Sequence, residues 1–287
     1  MILTTVRIYK IIITGVFVVA WQITAIFNCN AQELVAPVNN NEAIFLARIK
    51  QFNEFLDRFN YKTDFYGNPI NQEFMSKMPR DKMINAMFDL KDKRIDPSSK
   101  EYSKEYADLI NKFIADIADK DFLIGKYSPN IIAEARSKVV FKGSAQEISI
   151  FLAQEDAGNN KIKWVILDVK GQPFDFLKTD TTLIRFIPPA SNETDFQNLK
   201  RALDDVNYLG YYADKNYTPD YLTLFFYLIN TGAMKFDLVS EITYHIIDIP
   251  GWSISVKEFN RNDLNSGWLI SNLSKNASDR KEYIKGL

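Results

Sequence analysis

Apolar residues recur along this chain with two different periods. From Glu42 to Phe59 they fall at Ile44, Phe45, Ile49, Phe52, Phe55, Leu56 and Phe59, which lays one apolar stripe along a helix. Asn41 stands where that helix needs a cap. Residues 59–71 carry Gly67 and Pro69 and read as a connection. Pro79 opens a second helix through Met83, Ile84, Met87, Phe88 and Leu90, since proline suits the first helical turn. After a polar linker with Pro97, the spacing predicts a third helix over 102–117.

The period then shortens to two. Lys138 to Phe141 is a short strand, and Glu147–Gln154 and Ile162–Val169 flank the turn sequence EDAGNNK. A further strand is expected over 182–187, ended by Pro188 and Pro189. Ser191 or Asn192 then caps a helix running to about Val206. Thr218 and Pro219 open a helix through Tyr221, Leu222, Leu224, Phe225, Phe226, Leu228 and Ile229. It is apolar nearly all round, the pattern of a buried helix, and Gly232 ends it. Three strands close the pattern, over 236–249, 252–259 and 268–273, the last two joined by the polar stretch NRNDLNSG. The tail from Ser274 is polar and is expected to be loosely held.

Helices followed by strands occur twice, which prompts a search for internal repetition. A shift of 104 residues lays 149–169 over 253–273 without a gap, Ser149 on Ser253, Ile150 on Ile254, Trp164 on Trp268 and Ile166 on Ile270. The expected fold class is α+β, with helices packed on curved antiparallel sheets, as two tandem units over 42–178 and 179–275, followed by a polar tail at 276–287. The order of elements over 42–273 resembles the cystatin-like, NTF2-like fold. That resemblance implies a curved sheet wrapped on a helical layer with a pocket between them. It implies no particular activity, because such folds carry enzymes and binding modules alike.

The first 31 residues change the cellular picture. Arg7 and Lys10 precede the apolar run 11–27, and Cys29-Asn30-Ala31 puts small residues at the positions a signal peptidase reads. Cleavage after Ala31 is expected, with 32–41 left as a leader. An uncleaved anchor and acylation at Cys29 are the alternatives, weakened by Gln22 within the run and by Asn28 before the cysteine. The Ala31-Gln32 junction and an Asn-, Lys-, Ile- and Phe-rich composition resemble secreted envelope proteins of Bacteroidota-type bacteria. Periplasmic or secreted localisation follows, with membrane contact only through the signal. Cleavage also removes the only cysteine, and with it any disulfide or thiolate ligand.

Charge narrows the partners. A formal net charge of −1, or −3 after loss of Arg7 and Lys10, lacks the cationic surplus of a nucleic-acid binder. With one histidine, no multi-histidine zinc site can form. Asp204-Asp205 and Asn260 to Asp263 offer oxygen ligands but do not match a calcium loop. Gly158, Gly171 and Gly210 stand alone, so no phosphate-binding loop is present, and no cofactor is expected.

His245 is therefore the only imidazole that could act as a base. Alternation puts it on one strand face with Thr243 and Ile247, and Tyr244 and Ile246 on the other. The ligand-binding candidates are Tyr244, Trp252 beside the Pro250-Gly251 bend, and Tyr211 and Tyr212 within a tyrosine-rich stretch, since tyrosine offers a flat apolar face with a polar rim. The leading expectation is a non-catalytic protein that binds an unidentified ligand or an envelope protein. A hydrolase using His245 with a neighbouring carboxylate is one alternative. A structural envelope component acting through an exposed edge strand or apolar patch is another.

Overall fold

A computed structural model describes residues 51–119, 122–159, 161–177, 203–204, 211–214, 217, 220–275 and 279–287. The expected strand at 182–187 lies outside them, as does the helix at 192–206 apart from Leu203 and Asp204, which are helical. The described helices are α1 (Phe52–Phe59), α2 (Gln72–Lys77), α3 (Arg80–Ala86), α4 (Lys104–Ala118), α5 (Tyr221–Asn230) and α6 (Arg280–Gly286). The strands are β1 (Ile131–Phe141), β2 (Ser144–Asp156), β3 (Ile162–Gly171), β4 (Met234–Ile249), β5 (Trp252–Phe259) and β6 (Gly267–Lys275).

All six strands form one antiparallel sheet in the order β3-β2-β1-β4-β5-β6. Two three-stranded meanders thus meet along β1 and β4. Strands from both sides of residues 178/179 are paired in this single sheet, within one compact unit spanning Ile44–Leu287. The outer hairpins share one register under the 104-residue offset. Ile148 faces Gly171 as Trp252 faces Lys275, and Leu152 faces Ile166 as Val256 faces Ile270. The β-bulge between Phe151 and Leu152 recurs between Ser255 and Val256.

One face of the sheet carries two apolar covers. Phe55, Leu56 and Phe59 of α1, Ile84 of α3 and Ile110, Phe113 and Ile117 of α4 bury against Ile246, Ile254, Val256, Ile270 and Leu273. Phe225 and Leu228 of α5 close over Val139, Phe141, Ile148, Ile150 and Val169. Each meander is covered by helices from the other half of the described chain, which knits distant sequence together. A fully buried side chain of this size contributes roughly 2 kcal/mol by leaving water, so these two clusters supply much of the stability.

Local chemistry fixes the helix ends. Ser103 accepts from the backbone N–H of Tyr106, Asn71 from Phe74 and Asp279 from Glu282, each satisfying an amide the helix cannot. Asp220 rather than Thr218 caps α5, accepting from Thr223 N–H. Gly251 at φ 87° makes the β4–β5 turn, a backbone angle that penalises a Cβ.

Four expectations change. β1 begins at Ile131, not Lys138, because Ala133, Glu134, Ala135 and Arg136 hide its alternation. The six-residue α2 was invisible, since it buries no side chain and so leaves no apolar stripe. Helix α5 is half-exposed, with Phe226 and Tyr227 50% and 62% accessible, because the sheet covers only one side of it. The end of the C-terminal tail is not loose over residues 279–287: α6 docks on the opposite sheet face, with Ile284 buried among Ile132, Phe151 and Ile247.

Candidate functional site

His245 lies on the face of the sheet that α6 crosses. The β1–β4 register pairs it with Ile132, and the β4–β5 register pairs it with Ser255. Alternation brings Glu134 of β1 and Thr243 of β4 to the same face. The imidazole Nε2 is 3.1 Å from Glu134 Oε2, and Nδ1 is 3.0 Å from Ser255 Oγ. An ionised carboxylate only accepts, so Nε2 carries the proton it shares with Glu134. Ser149 Oγ donates to the second oxygen of Glu134 at 2.7 Å. The phenol of Tyr283, reaching down from α6, is 3.2 Å from Nδ1.

The electrostatics follow from these partners. The hydrogen bond from His245, helped by Ser149 and by the charges of His245 and Arg136, holds the Glu134 carboxyl at about 2, against the opposing effect of burial. Burial, with the nearby charge of Glu134, raises the Tyr283 phenol above its ordinary value. The ring of His245 is 2% exposed, so solvent does not reach it.

This Ser255–His245–Glu134 arrangement has the spacing of a nucleophile, base and acid. Its setting differs from that of a working triad. The three residues sit on neighbouring antiparallel strands whose amides bond strand to strand, so among the described residues these ladder amides do not converge on a developing oxyanion. Tyr283 also occupies the approach to Nδ1. What the cluster does chemically is give the buried His245 and Ser255 and the part-buried Glu134, Ser149 and Tyr283 hydrogen-bond partners at once, tying α6 to β1, β4 and β5.

An open cavity of about 370 Å³ lies at the other end of α6. Tyr127, Ser128 and Pro129, from the segment entering β1, form one wall. Gln154, Glu155 and Asp156 end β2; Ile162, Val165 and Leu167 of β3 form the floor; and Arg280 of α6 forms the far rim. Gln154 accepts from Ser128 N–H at 2.9 Å and Arg280 Nη1 donates to Pro129 O at 3.4 Å, so both sides of the cavity are tied to its wall. Glu155 pairs with Lys163 at 3.3 Å. The composition is an apolar floor with a polar rim.

The candidates read from sequence scatter. Tyr244 lies on the helical face, its ring stacked 3.8 Å from Phe52 and tilted against Trp268 at 5.2 Å, with its phenol pKa raised by burial. Trp164 leans toward it at 6.4 Å. Trp252 is core: it is 4% exposed, meets Phe113 edge-on, and donates from Nε1 to Asp116 Oδ2 at 3.2 Å. Tyr211 and Tyr212 sit in a short 3-10 turn, half-buried, and neither lines the cavity. Trp268 is buried as a sheet-to-helix contact, whereas Trp164 is 43% exposed. The oxygen-rich stretch 260–263 is bound up in ion pairs: Arg261 meets Asp89 at 2.6 Å and Lys91 pairs with Asp263. Among the described residues no cluster of three or more acidic, histidine or cysteine side chains could hold a metal.

Sequence reasoning missed Glu134, Ser255 and Tyr283. Glu134 and Tyr283 are 111 and 38 residues from His245, and only the strand register and the docking of α6 bring them together. Ser255 had a signal, since a hairpin through Pro250-Gly251 places it opposite His245. Comparison with known proteins gives no matching family model, no matching curated relative and no matching solved structure.

Proposed function

We propose that the protein is a secreted or periplasmic, non-catalytic binding protein whose ligand seat is the cavity between the ends of β2 and β3, residues 127–129 and α6. The observation that carries this reading is the cavity itself. Its volume of about 370 Å³ lies within the range of ligand pockets, and it joins an apolar floor of Val165 and Leu167 to a rim bearing Gln154, Glu155, Asp156 and Arg280. The burial of His245 under Tyr283 supports a structural rather than catalytic role for the imidazole. The signal-like segment at 1–31 supports export, and no helix among the described residues is long and apolar enough to cross a membrane. The matched registers of the two hairpins support an origin by duplication of one helix-then-meander unit, of the cystatin-like or NTF2-like kind.

The test is a thermal-shift screen of the mature protein against sugars, short peptides and amphipathic carboxylates. Ligands are expected to raise Tm in the wild type and to lose that effect in Val165→Trp, which fills the floor. A screen without any hit that depends on Val165 removes the cavity from consideration. The Ser255–His245–Glu134 spacing favours one second reading, a hydrolase opened by release of α6. Labelling by a fluorophosphonate that vanishes in both Ser255→Ala and His245→Gln would install that reading in place of the first.

A further inference from the structure

Among the described residues, the two outer edges of the sheet differ in what covers them. Along β6, Met87 to Asp89 lies in a parallel bridge with Phe88 opposite Ile270. The N–H of Ile270 donates to Met87 O at 2.8 Å, and its carbonyl accepts from Asp89 N–H at 2.9 Å. Asn265 donates to Phe88 O at 2.8 Å, and Arg261 holds Asp89, so this edge is capped at Ile270 by the chain's own segment. Phe88, at 2% exposure, drops into the core beside the edge.

Both backbone groups of Ile270 point away from β5. The Val256–Ile270 pair is therefore of the non-hydrogen-bonded kind. The offset of 104 residues carries Ile270 onto Ile166, which faces Leu152 just past the equivalent bulge. By the same register Ile166, and at every second position Trp164 and Ile162, turn their amides and carbonyls outward from β3. Among the described residues no strand or bridge pairs with that edge. Ile162 and Trp164 are 44% and 43% exposed along it. The cavity opens on one face of the edge, at Val165 and Leu167, and Trp164 stands on the other, near Tyr244.

We propose that the β3 edge at 162–166 receives an extended segment of a partner protein, as the β6 edge receives Met87 to Asp89. One apolar side chain of that segment enters the cavity beside Val165, and the next lies against Trp164. Added strands bind in this way, with main-chain bonds giving affinity and pockets for alternate side chains giving selectivity. Lys161 and Lys163 disfavour a second copy of this chain as occupant, because antiparallel self-pairing brings like-charged lysines together at the edge. The proposal rests on the cavity being the ligand seat and names the class of ligand.

The test begins with a random decapeptide display library selected on the full-length protein. Enriched peptides are resynthesised, and their affinity is measured by fluorescence anisotropy. Ile166→Pro removes one outward N–H without taking a bond from the β2–β3 ladder, a tolerated use of proline on an edge. Binding is expected to weaken at least tenfold in Ile166→Pro and in Val165→Trp. Amide exchange in the wild type gives a second readout: saturating peptide is expected to slow the Trp164 and Ile166 amides at least tenfold. Peptides that bind Ile166→Pro as well as wild type, with those amides unprotected, overturn the strand-edge proposal. If small ligands still stabilise in a Val165-dependent manner, the cavity reading survives that failure. If neither class binds, both fall. Concentration-dependent self-association abolished by Ile166→Pro would also overturn the proposal, assigning the edge to a second copy.

Discussion

Glu134 carries the charge of the polar cluster beneath α6, and its chemistry has a pH signature. Its folded value of about 2 lies below the ordinary 4.5, so its contribution to stability is fully present above 4.5 and is lost as pH falls toward 2. That contribution is about 2 kcal/mol, less than the full shift converts to because the carboxylate edge touches water. Glu134→Gln is therefore expected to lower unfolding free energy at pH 7, with the deficit shrinking steadily between pH 4.5 and 2; urea titrations at several pH values check it. Trp252 makes a different residue-scale claim. Its indole fills core space and its N–H satisfies Asp116, so Trp252→Ala should cost about 3–5 kcal/mol, whatever ligand is present. Gly171 is a third case. Its φ of 147° and the Glu147 carbonyl oxygen, which would lie 2.9 Å from a methyl group at this position, leave no room for a side chain, so Gly171→Ala should lower the Tm, measurable by calorimetry.

At the scale of elements, α6 is the least expected feature. Its seven residues are too few to be helical alone. It holds because Asp279 caps it, Ile284 reaches Ile132 and Phe151, and Tyr283 reaches the His245 cluster. Ile284→Ala should cost about 2–4 kcal/mol. Native-state hydrogen exchange should then show the α6 amides opening first, with those of Ile132 and Ile247 following. Equal exchange in variant and wild type would mean that α6 does not cover this face in solution. The sequence concealed α6 because two inward residues, Tyr283 and Ile284, are too few to make a period. It marked β5 well, since Trp252, Ile254 and Val256 alternate with polar residues on a strand whose bounds match the expected 252–259. It marked β1 poorly, because Glu134 and Arg136 occupy positions that alternation reserves for the solvent face, while Glu134 turns inward to His245.

At the scale of the whole molecule, the sheet decides cooperativity. β1 and β4 come from opposite halves of the chain and are paired along the length of β1. The helices before β1 cover β4 to β6, and α5 covers β1 to β3. Neither half can lose its strands without exposing the other's core. Unfolding of the described unit is accordingly expected to be a single transition, with tryptophan fluorescence and far-ultraviolet circular dichroism coincident in urea. Two separated transitions would mean that the meanders fold independently.

Periodicity in the sequence determined most helices and strands, the turn at EDAGNNK, the two faces of β4 and the 104-residue offset that also relates the hairpin registers. These are local properties, fixed by which residues are apolar and how far apart they stand. The tertiary structure alone decided that both meanders share one sheet, that Glu134, Ser255 and Tyr283 converge on His245, that Trp252 is core, and that one sheet edge is capped while its counterpart has no partner among the described residues. Each of these depends on which strands become neighbours and where a short helix lands. Pairings across a hundred residues leave no periodic trace in the chain that makes them.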